Sequence, residues 1–519
     1  MKLDFIKSNL TIAGVSVTEK SRFLRRVAMG SDPYADPISD PLSWATSQLE
    51  KVPEIRIYDQ QGKVRVVPGQ FALIIDIRSL MVEYRNSWNA VDGFFVGTTQ
   101  VSKAERRQRF RHLVGFPFRD VAHWKEVQAR LTTAQWSEQP VFERFWHFWT
   151  NHFMVAPNTD NNDVLVGPYQ RHLRSKLTGS FRDLLWEAVT HPSMLIYLDN
   201  YRSVGPNSIA RKSGRTTDSI NENLGRELLE LFTISPAAGY TQKDVEASTM
   251  ILTGWTFAMP NSNQAKPIFP STNAPASYWG TFFAYQRHEP GVQTLMGKQY
   301  ENSLFRQKGK LEDLINDLAI HPATAKHLAR KLCTYFMDDA PPAEAVAHVE
   351  SGFLSSKGNL PAVHQAVLEM CWRYLSTTRK LVFPDVWLVQ CAKAMSAPLP
   401  QELPTEKSAL NSSAGPLTTD LIRDLGMPLP FCPQPDGWPI KSSDWLSGEM
   451  LDRRVRTAVY LAKNSELVRE NKSSSIDKLV ERTIPRDAPS HTVIRASLAR
   501  GELADALTLW ALSPDVLWS

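Results

Sequence analysis

Apolar residues recur every three to four positions along most of the chain, and this spacing predicts amphipathic α-helices. Segment 54–68 differs, because its apolar residues alternate around a Gln-Gln-Gly turn and so predict a β-hairpin; they are Ile55, Ile57, Val64 and Val66. We therefore expect a mainly α fold, a large single multi-helix assembly with a minor β-hairpin near residues 54–68.

The predicted helices follow one another with short connections. They cover residues 19–50 (with a Pro-rich turn), 70–86, 102–114, 119–134, 138–155, 168–178, 180–190, 192–200, 220–234, 242–253, 310–320, 322–337, 341–354, 360–376, 448–465, 473–482 and 490–512. Two corners look alike, since His191-Pro192 and His321-Pro322 each end one helix and open the next. Residues 258–280, rich in Pro, Asn and Ser, are expected to form a lid or a flexible loop.

Four regions differ in composition. Residues 1–135 are expected to form an N-terminal helical region with the small β element, and 136–260 a helical core with the most distinctive motifs. Residues 261–395 form a second helical region, and 396–519 an irregular segment followed by C-terminal helices. We expect these regions to form one continuous domain.

Composition excludes several classes of protein. The net charge is +5 with well-mixed charges, so nucleic acid is not an expected partner. No apolar run is long enough to span a membrane, and the N-terminus lacks the pattern of a signal peptide. We expect a cytoplasmic protein, or a periplasmic one if a partner carries it there. The four cysteines form no Cys-x-x-Cys pair, and Cys333 and Cys371 are expected to be buried thiols.

The predicted helix 220–234 carries the most suggestive polar residues. Asn223, Glu227 and Glu230 lie one turn apart on its polar side, where carboxylates can ligate a hard divalent cation through oxygen or divide the roles of acid and base. Zinc would require His or Cys ligands as well. This interpretation assigns Glu227 and Glu230 catalytic roles, with His152 completing a polar cleft.

The same residues also have a purely structural interpretation. Ser219 and Glu222 match a capping box, and Glu222, Arg226 and Glu230 match a row of salt bridges along one helix face. Asp244 matches a cap with Thr241. His152 lies at the edge of an aromatic stripe, where most histidines belong to the core. Further candidates with equally ordinary explanations are Asp199, Asn200 and His288.

Several motifs, in the same order along nearly the whole chain, resemble a bacterial family called domain of unknown function 1800. The most specific is Asn-Glu-Asn-Leu-Gly-Arg-Glu-Leu-Leu-Glu-Leu at 221–231. The others lie at 145–153 (Phe-Trp-His-Phe-Trp-Thr-Asn-His-Phe), 191–200, 239–245, 252–255, 287–289, 321–325, 331–332, 437–439 (Gly-Trp-Pro), 445–446 and 507–514.

The resemblance implies a helical fold and a gene neighbour that resembles sulfatases or alkaline phosphatases. The chain departs from the family at Phe232, where the pattern has His. Two hypotheses on function follow. The first is an enzyme or metal-binding protein, hydrolytic if an enzyme, that uses the cleft on helix 220–234. The second is a non-catalytic partner or assembly factor for a sulfatase- or phosphatase-like protein.

Overall fold

Helices account for most of the chain that the structure describes, as the spacing of apolar residues predicts. The structure is a computed structural model, and it describes residues 16–30, 34, 38–58, 63–67, 118–157, 162, 165–257, 281–301, 309–400 and 417–519. The predicted helices at 70–86 and 102–114 and the predicted loop at 258–280 lie outside these residues.

The helices are numbered in chain order. The first half contains α1 (Val17–Val27), α2 (Pro41–Ser47), α3 (Phe118–Trp136), α4 (Pro140–His152), α5 (Val166–Ser175), α6 (Phe181–Thr190), α7 (Pro192–Tyr197), α8 (Ile209–Lys212), α9 (Asn223–Glu230) and α10 (Gln242–Leu252). The second half contains α11 (Gly309–Ala319), α12 (Pro322–Phe336), α13 (Ala343–Ser355), α14 (Leu360–Arg373), α15 (Pro384–Ala394), α16 (Thr418–Asp424), α17 (Gly448–Lys463), α18 (Glu466–Arg469), α19 (Ser473–Thr483), α20 (Pro489–Ala499), α21 (Leu503–Leu512) and α22 (Pro514–Leu517). Short 3₁₀ helices lie at Asn200–Arg202, Pro236–Ala238, Tyr285–Arg287 and Ser442–Trp445.

The β structure consists of short antiparallel pairs. Strands β1 (Ile55–Tyr58) and β2 (Val64–Val67) form the predicted hairpin, with Ile55 opposite Val67. Two further pairs were not predicted: β3 (Trp255–Phe257) with β4 (Thr281–Phe283), and β5 (Gln293–Leu295) with β6 (Lys298–Tyr300). Each of these strands has only three residues, too few to show the alternation that marks a strand in sequence.

Two further differences concern helix ends. The helix predicted over 490–512 is two helices, α20 and α21, because Gly501 at φ +77° lies between them in the left-handed region. The segment 396–442, predicted to be irregular, contains the short helix α16. Elsewhere the predicted and observed helices differ by a few residues at their ends, as for 322–337 and the observed Pro322–Phe336.

One hydrophobic cluster joins buried residues from Phe23 to Leu517. Helix α4 lies inside it, and all of its residues are buried, Trp149 and Phe145 completely. The ring of Phe145 stacks on His364 of α14 with 3.9 Å between ring centroids. The division into four regions remains a prediction, although the cluster crosses all of them.

The two His-Pro corners are confirmed, and the histidines have a defined part in them. In each corner the Nδ1 atom accepts a hydrogen bond from the backbone N–H two residues later, at 3.1 Å for both His191 and His321. Each histidine therefore caps the following helix, α7 or α12, while proline occupies the first turn. Among the described helices, none combines the length and the apolar character needed to cross a membrane.

Candidate functional site

Helix α9 is shorter than predicted and begins differently. It starts at Asn223, and Glu222 precedes it without any side-chain capping bond, so the predicted capping box of Ser219 and Glu222 is wrong. The Glu222 carboxylate instead accepts hydrogen bonds from Arg226 and from Gln242 of α10, each at 3.0 Å. A bond within the same helix end, from Arg226, and one from the neighbouring helix, from Gln242, take the place of the local cap. Glu222 and Arg226 are thus explained by a half-exposed ion pair.

The buried face of α9 is held tightly against α10. A Cβ atom at Gly225 would lie 2.4 Å from the Thr249 hydroxyl oxygen and 2.8 Å from the Thr249 backbone nitrogen. Any side chain larger than hydrogen would therefore separate the two helices. This contact explains a glycine in the middle of a helix, which otherwise costs about 1 kcal/mol relative to alanine. It also fixes the orientation of the polar face.

Glu227 is the residue of α9 with the most perturbed acid–base behaviour. It is partly buried, and burial raises the pKa of its carboxyl to about 7 from 4.5. The negative charges of Glu230 and Asp436 act in the same direction, and Arg226 opposes them. Arg226, however, is already engaged with Glu222 and Gln242. Glu227 is therefore a carboxyl group that changes charge near neutral pH.

Glu230 lies one turn further along and contacts the hydroxyl of Tyr240, which donates to it at 3.5 Å. The predicted row of salt bridges extends only from Glu222 to Arg226 among the described contacts. Both Glu230 and Tyr240 remain partly exposed. Glu230 therefore contributes negative charge next to Glu227, and this charge raises the pKa of its neighbour.

His152 contacts the backbone of the segment that follows α9. Its Nε2 lies 3.3 Å from the carbonyl oxygen of Phe232, and Lys331 of α12 donates to its Nδ1 at 3.1 Å. Since Nδ1 accepts, Nε2 carries the proton and the ring is neutral. Complete burial and the Lys331 charge also hold the pKa of His152 well below its usual range. His152 is therefore a neutral support for Lys331.

Lys331 is the basic group of this cluster. Its amine is held by His152, and burial lowers its pKa to about 8, an effect that the charge of Asp436 partly opposes. His327, one turn earlier on α12, donates from Nε2 to the carbonyl oxygen of Leu231 at 3.2 Å. The rings of His152 and His327 have centroids 6.3 Å apart. Two histidines and one lysine thus surround the last residues of the acidic segment.

Phe232, where the related family has His, belongs to the same cluster. Its ring is completely buried, with its centroid 6.3 Å from that of His152 and 5.3 Å from that of Phe153. The chain has an apolar ring at this point, and only the carbonyl group of Phe232 serves the site.

Asp436 connects the acidic and basic parts of the site. Its exposed carboxylate acts electrostatically on Glu227 and Lys331, and also on Tyr197 and Cys432. Burial raises the pKa of Tyr197 to about 12, and the nearby charges of Glu227 and Asp436 contribute. We call Glu227, Glu230, Lys331 and Asp436, together with His152, the acid–base cluster.

The loop that carries Asp436 is fixed by Asn151 of α4. The Asn151 side-chain amide donates to the Trp438 carbonyl at 2.9 Å and accepts from the Trp438 N–H at 2.7 Å. Gly437 lies between them at φ +88°, and a Cβ atom there would be 2.2 Å from the Asn151 carbonyl oxygen. Only glycine fits. The Gly-Trp-Pro sequence therefore fixes the backbone that follows Asp436.

The remaining candidates have structural roles outside the cluster. Asp244 forms the predicted cap with Thr241, whose N–H and hydroxyl both donate to it at 2.7 Å. Asn200 donates to the carbonyls of Leu252 and Trp255, each at 3.2 Å. The ring of His288 binds the Thr253 carbonyl at 2.8 Å. Asp199 precedes a 3₁₀ helix at φ +57°.

A metal centre is not apparent in the part of the chain that the structure describes. Within it, no group of three or more His, Cys, Asp or Glu side chains is arranged to hold a metal ion. Asn223 is exposed at the start of α9. The positive charge that acts on the Glu227 carboxyl is that of Arg226.

Sequence reasoning overlooked three residues of the site: Lys331, Asp436 and Asn151. Each lies in or directly beside a motif at 145–153, 331–332 or 437–439, and these motifs carry the family resemblance. The available signal was a lysine in an otherwise apolar stripe of helix 322–337. Nothing local in sequence indicated that Asn151 would bind a loop 287 residues away.

The fold and the site together define a mainly α-helical protein with a partly exposed acid–base cluster. The family model described as protein of unknown function (DUF1800) matches residues 22–517. The chain belongs to this family, as its motifs predict. No curated protein and no solved structure matches the chain.

Proposed function

We propose that this chain is an enzyme whose reaction transfers a proton at the acid–base cluster, with Glu227 and Lys331 as catalytic residues and His152 as a positioning residue. The observation that carries the proposal is the amine of Lys331 held at 3.1 Å by a neutral, completely buried histidine beside the acidic end of α9. A lysine with a purely structural role would more often pair with a carboxylate.

The protonation states support this role. The pKa of Glu227 is raised to about 7 and that of Lys331 is lowered to about 8, so both change charge where enzymes work. Environments that bring the pKa values of an acid and a base toward 7 are typical of catalytic sites. In a hydrolytic reaction, Glu227 takes the proton of the attacking water. The ammonium group of Lys331 stabilises the negative charge that develops on the substrate.

The first test uses chromogenic esters, phosphate esters, sulfate esters, amides and glycosides with the purified full chain. Glu227→Gln should lower kcat by about 10²- to 10⁴-fold. Glu222→Gln is the matched control, since it lies on the same face but is paired with Arg226. Activity requires ionised Glu227 and protonated Lys331, so it should peak between about pH 7 and 8. Equal activity of both variants would contradict the proposal.

A second test does not need a substrate. The rate at which a small amine-directed reagent modifies Lys331, followed by peptide mass spectrometry, should rise with pH around a midpoint near 8. Lys326, which is exposed on the same helix, provides the internal reference. His152→Phe removes the acceptor of the Lys331 hydrogen bond and should change this midpoint. A midpoint for Lys331 at the ordinary value of a free lysine would overturn the proposal.

The alternative function is that of a partner or assembly factor for a sulfatase- or phosphatase-like protein. It rests on the family resemblance, and the described residues offer no observation that favours it. In that case Glu227→Gln would leave the partner's activity unchanged whenever the chain folds. Co-expression of the two proteins, with the partner's activity as readout, distinguishes this alternative from catalysis by the chain itself.

We also propose a cytoplasmic location. All four cysteines are buried thiols, and burial raises the pKa of each, with that of Cys371 at about 12. Thiols without partners are usual in reducing compartments. Cell fractionation of the native host tests this location, and recovery of the chain from the periplasm would contradict it.

A further inference from the structure

A second cluster of buried charged groups lies on the other side of α4, and the proposed reaction does not use it. His147 of α4 is hydrogen-bonded through Nδ1 to the carboxylate of Asp385 of α15 at 2.7 Å. Arg130 of α3 donates to its Nε2 at 3.4 Å. Because arginine is always a donor, Nε2 must accept, so the proton is on Nδ1 and the ring is neutral. Burial accordingly lowers the pKa of His147 to about 4.

The charges of this cluster do not cancel. Arg130 and Arg144 each contribute one positive charge, and Asp385 contributes one negative charge. Tyr335 accepts a hydrogen bond from Arg144 at 2.7 Å, and burial raises the pKa of its phenol, which therefore stays uncharged. With a neutral His147, the sum is one positive charge. These groups are all more than nine-tenths buried.

Among the residues that the structure describes, no second carboxylate is paired with these arginines. Within the described part of the chain, Arg130 and Arg144 form no ion pair with a carboxylate, and the bond from Arg130 to Gln170 is long at 3.4 Å. Lys380, whose pKa the charge of Arg144 helps to lower, is already paired with Asp339. A buried charge without a counter-charge is costly. The cluster therefore favours an added anion.

The structure also provides a place for it. A small cavity is lined by Arg130, His147, Asn151, Tyr335, Asp385 and Trp438, among others. The cavity has a volume of about 10 Å³, which is room for one water molecule. The buried Nε1–H of Trp438 finds no acceptor among the described residues. An oxyanion such as sulfate is too large for this space, whereas a monatomic anion matches it.

We propose that the cavity between α3, α4, α15 and the loop of Trp438 binds a single chloride ion. The guanidinium group of Arg130 and the indole N–H of Trp438 are its donors. The anion neutralises the excess positive charge and accepts a hydrogen bond from the indole N–H of Trp438. Its binding holds the Trp438 loop on α4, together with the two hydrogen bonds from Asn151. This inference is independent of the proposed reaction.

The first experiment is thermal unfolding of the full chain at constant ionic strength, with sodium gluconate replaced stepwise by sodium chloride. A ligand that binds only the folded state raises the melting temperature in a saturable way. We expect saturation with chloride and with bromide, and no such rise with sulfate. A melting temperature that depends only on ionic strength would overturn the proposal.

Single substitutions test whether the effect of chloride on the melting temperature arises at this cavity. Trp438→Phe keeps the ring and removes the donor, so the chloride concentration at half-effect should rise about tenfold or more. Trp445→Phe is the matched control, because its indole N–H already donates to the Pro439 carbonyl at 3.0 Å. Asp385→Asn increases the excess charge and should lower the half-effect concentration. If Asp385 had only a structural role, Asp385→Asn would lower the melting temperature and leave the chloride concentration at half-effect unchanged.

A direct measurement on the unaltered chain does not depend on whether the variants fold. Crystals of the unaltered chain grown with bromide should show an anomalous difference peak in this cavity, within hydrogen-bond distance of Trp438 Nε1. Bromide at other surface positions only, or a water molecule in the cavity under saturating bromide, would refute the assignment of the site.

Discussion

Replacing Glu227 by glutamine should stabilise the protein at alkaline pH, which is unusual for the loss of a polar group in a candidate site. Between about pH 4.5 and 7 the folded chain binds a proton at Glu227 that the unfolded chain has released. Stability therefore falls as pH rises through this window, and the full penalty is present above about pH 7. Glutamine keeps the shape of the side chain and removes this penalty.

The magnitude follows from the raised pKa and from exposure. The difference between a pKa of about 7 and the ordinary 4.5 corresponds to about 3 kcal/mol for a completely buried group. Glu227 is partly exposed, so solvent screening reduces the effect. We expect Glu227→Gln to raise the free energy of unfolding by about 1–2 kcal/mol at pH 8. At pH 4.5 the two proteins should be equally stable.

Urea unfolding at both pH values measures this difference directly. Glu222→Gln serves as the control, because its carboxylate is paired with Arg226 and Gln242. That variant should lose at most about 1 kcal/mol, and should lose it at both pH values. If Glu227→Gln were instead destabilised by several kcal/mol at pH 8, Glu227 would be ionised and paired with a cation. The electrostatic account of the acid–base cluster would then be wrong.

Three further predictions concern the framework around the site. Gly437→Ala should cost about 1–3 kcal/mol more than Gly239→Ala in urea unfolding. Both glycines have positive φ, but only a Cβ at Gly437 meets another atom, the carbonyl oxygen of Asn151. Trp146→Ala should cost about 3–5 kcal/mol in the same assay, since the ring is 3% exposed; a loss below about 1 kcal/mol would refute its burial. Stability should fall as pH drops from 6.5 toward 4, by about 1.4 kcal/mol per pH unit for each histidine whose pKa burial holds near 3 to 4. A flat pH profile would contradict these neutral imidazoles: His147, His288, His327 and His364.

Local spacing was sufficient to predict most of the fold. The stripe of helix 138–155 predicted α4 to within a few residues of its ends, and the alternation at 54–68 predicted the hairpin. The His-Pro corners were equally clear, because proline and the cap act within one turn. Predictions failed where the decisive contact was distant. The start of α9 depends on Gln242 of α10, whose side chain accepts a hydrogen bond from Arg226 and donates one to Glu222.

The site was only partly predictable for the same reason. Glu227 could be singled out, because its position in the helix left it without a local partner. The rise in its pKa, however, comes mainly from burial, then from the charge of Glu230, and then from that of Asp436, more than two hundred residues later in the chain. His152 was expected to act beside Glu227, yet its direct partners are Lys331 and the Phe232 carbonyl. Side-chain contacts between distant segments leave no periodic trace in sequence.

Asn151 makes the two clusters depend on one loop. It lies on α4 between His147, which faces the chloride cavity, and His152, which supports Lys331. Its amide fixes the backbone of Trp438 in both directions, so the loop cannot move without breaking both hydrogen bonds. Trp438 then covers the cavity while Asp436, two residues earlier, faces the acid–base cluster. Because the two residues share this short backbone, an anion that holds Trp438 in place also holds the charge that tunes Glu227 and Lys331.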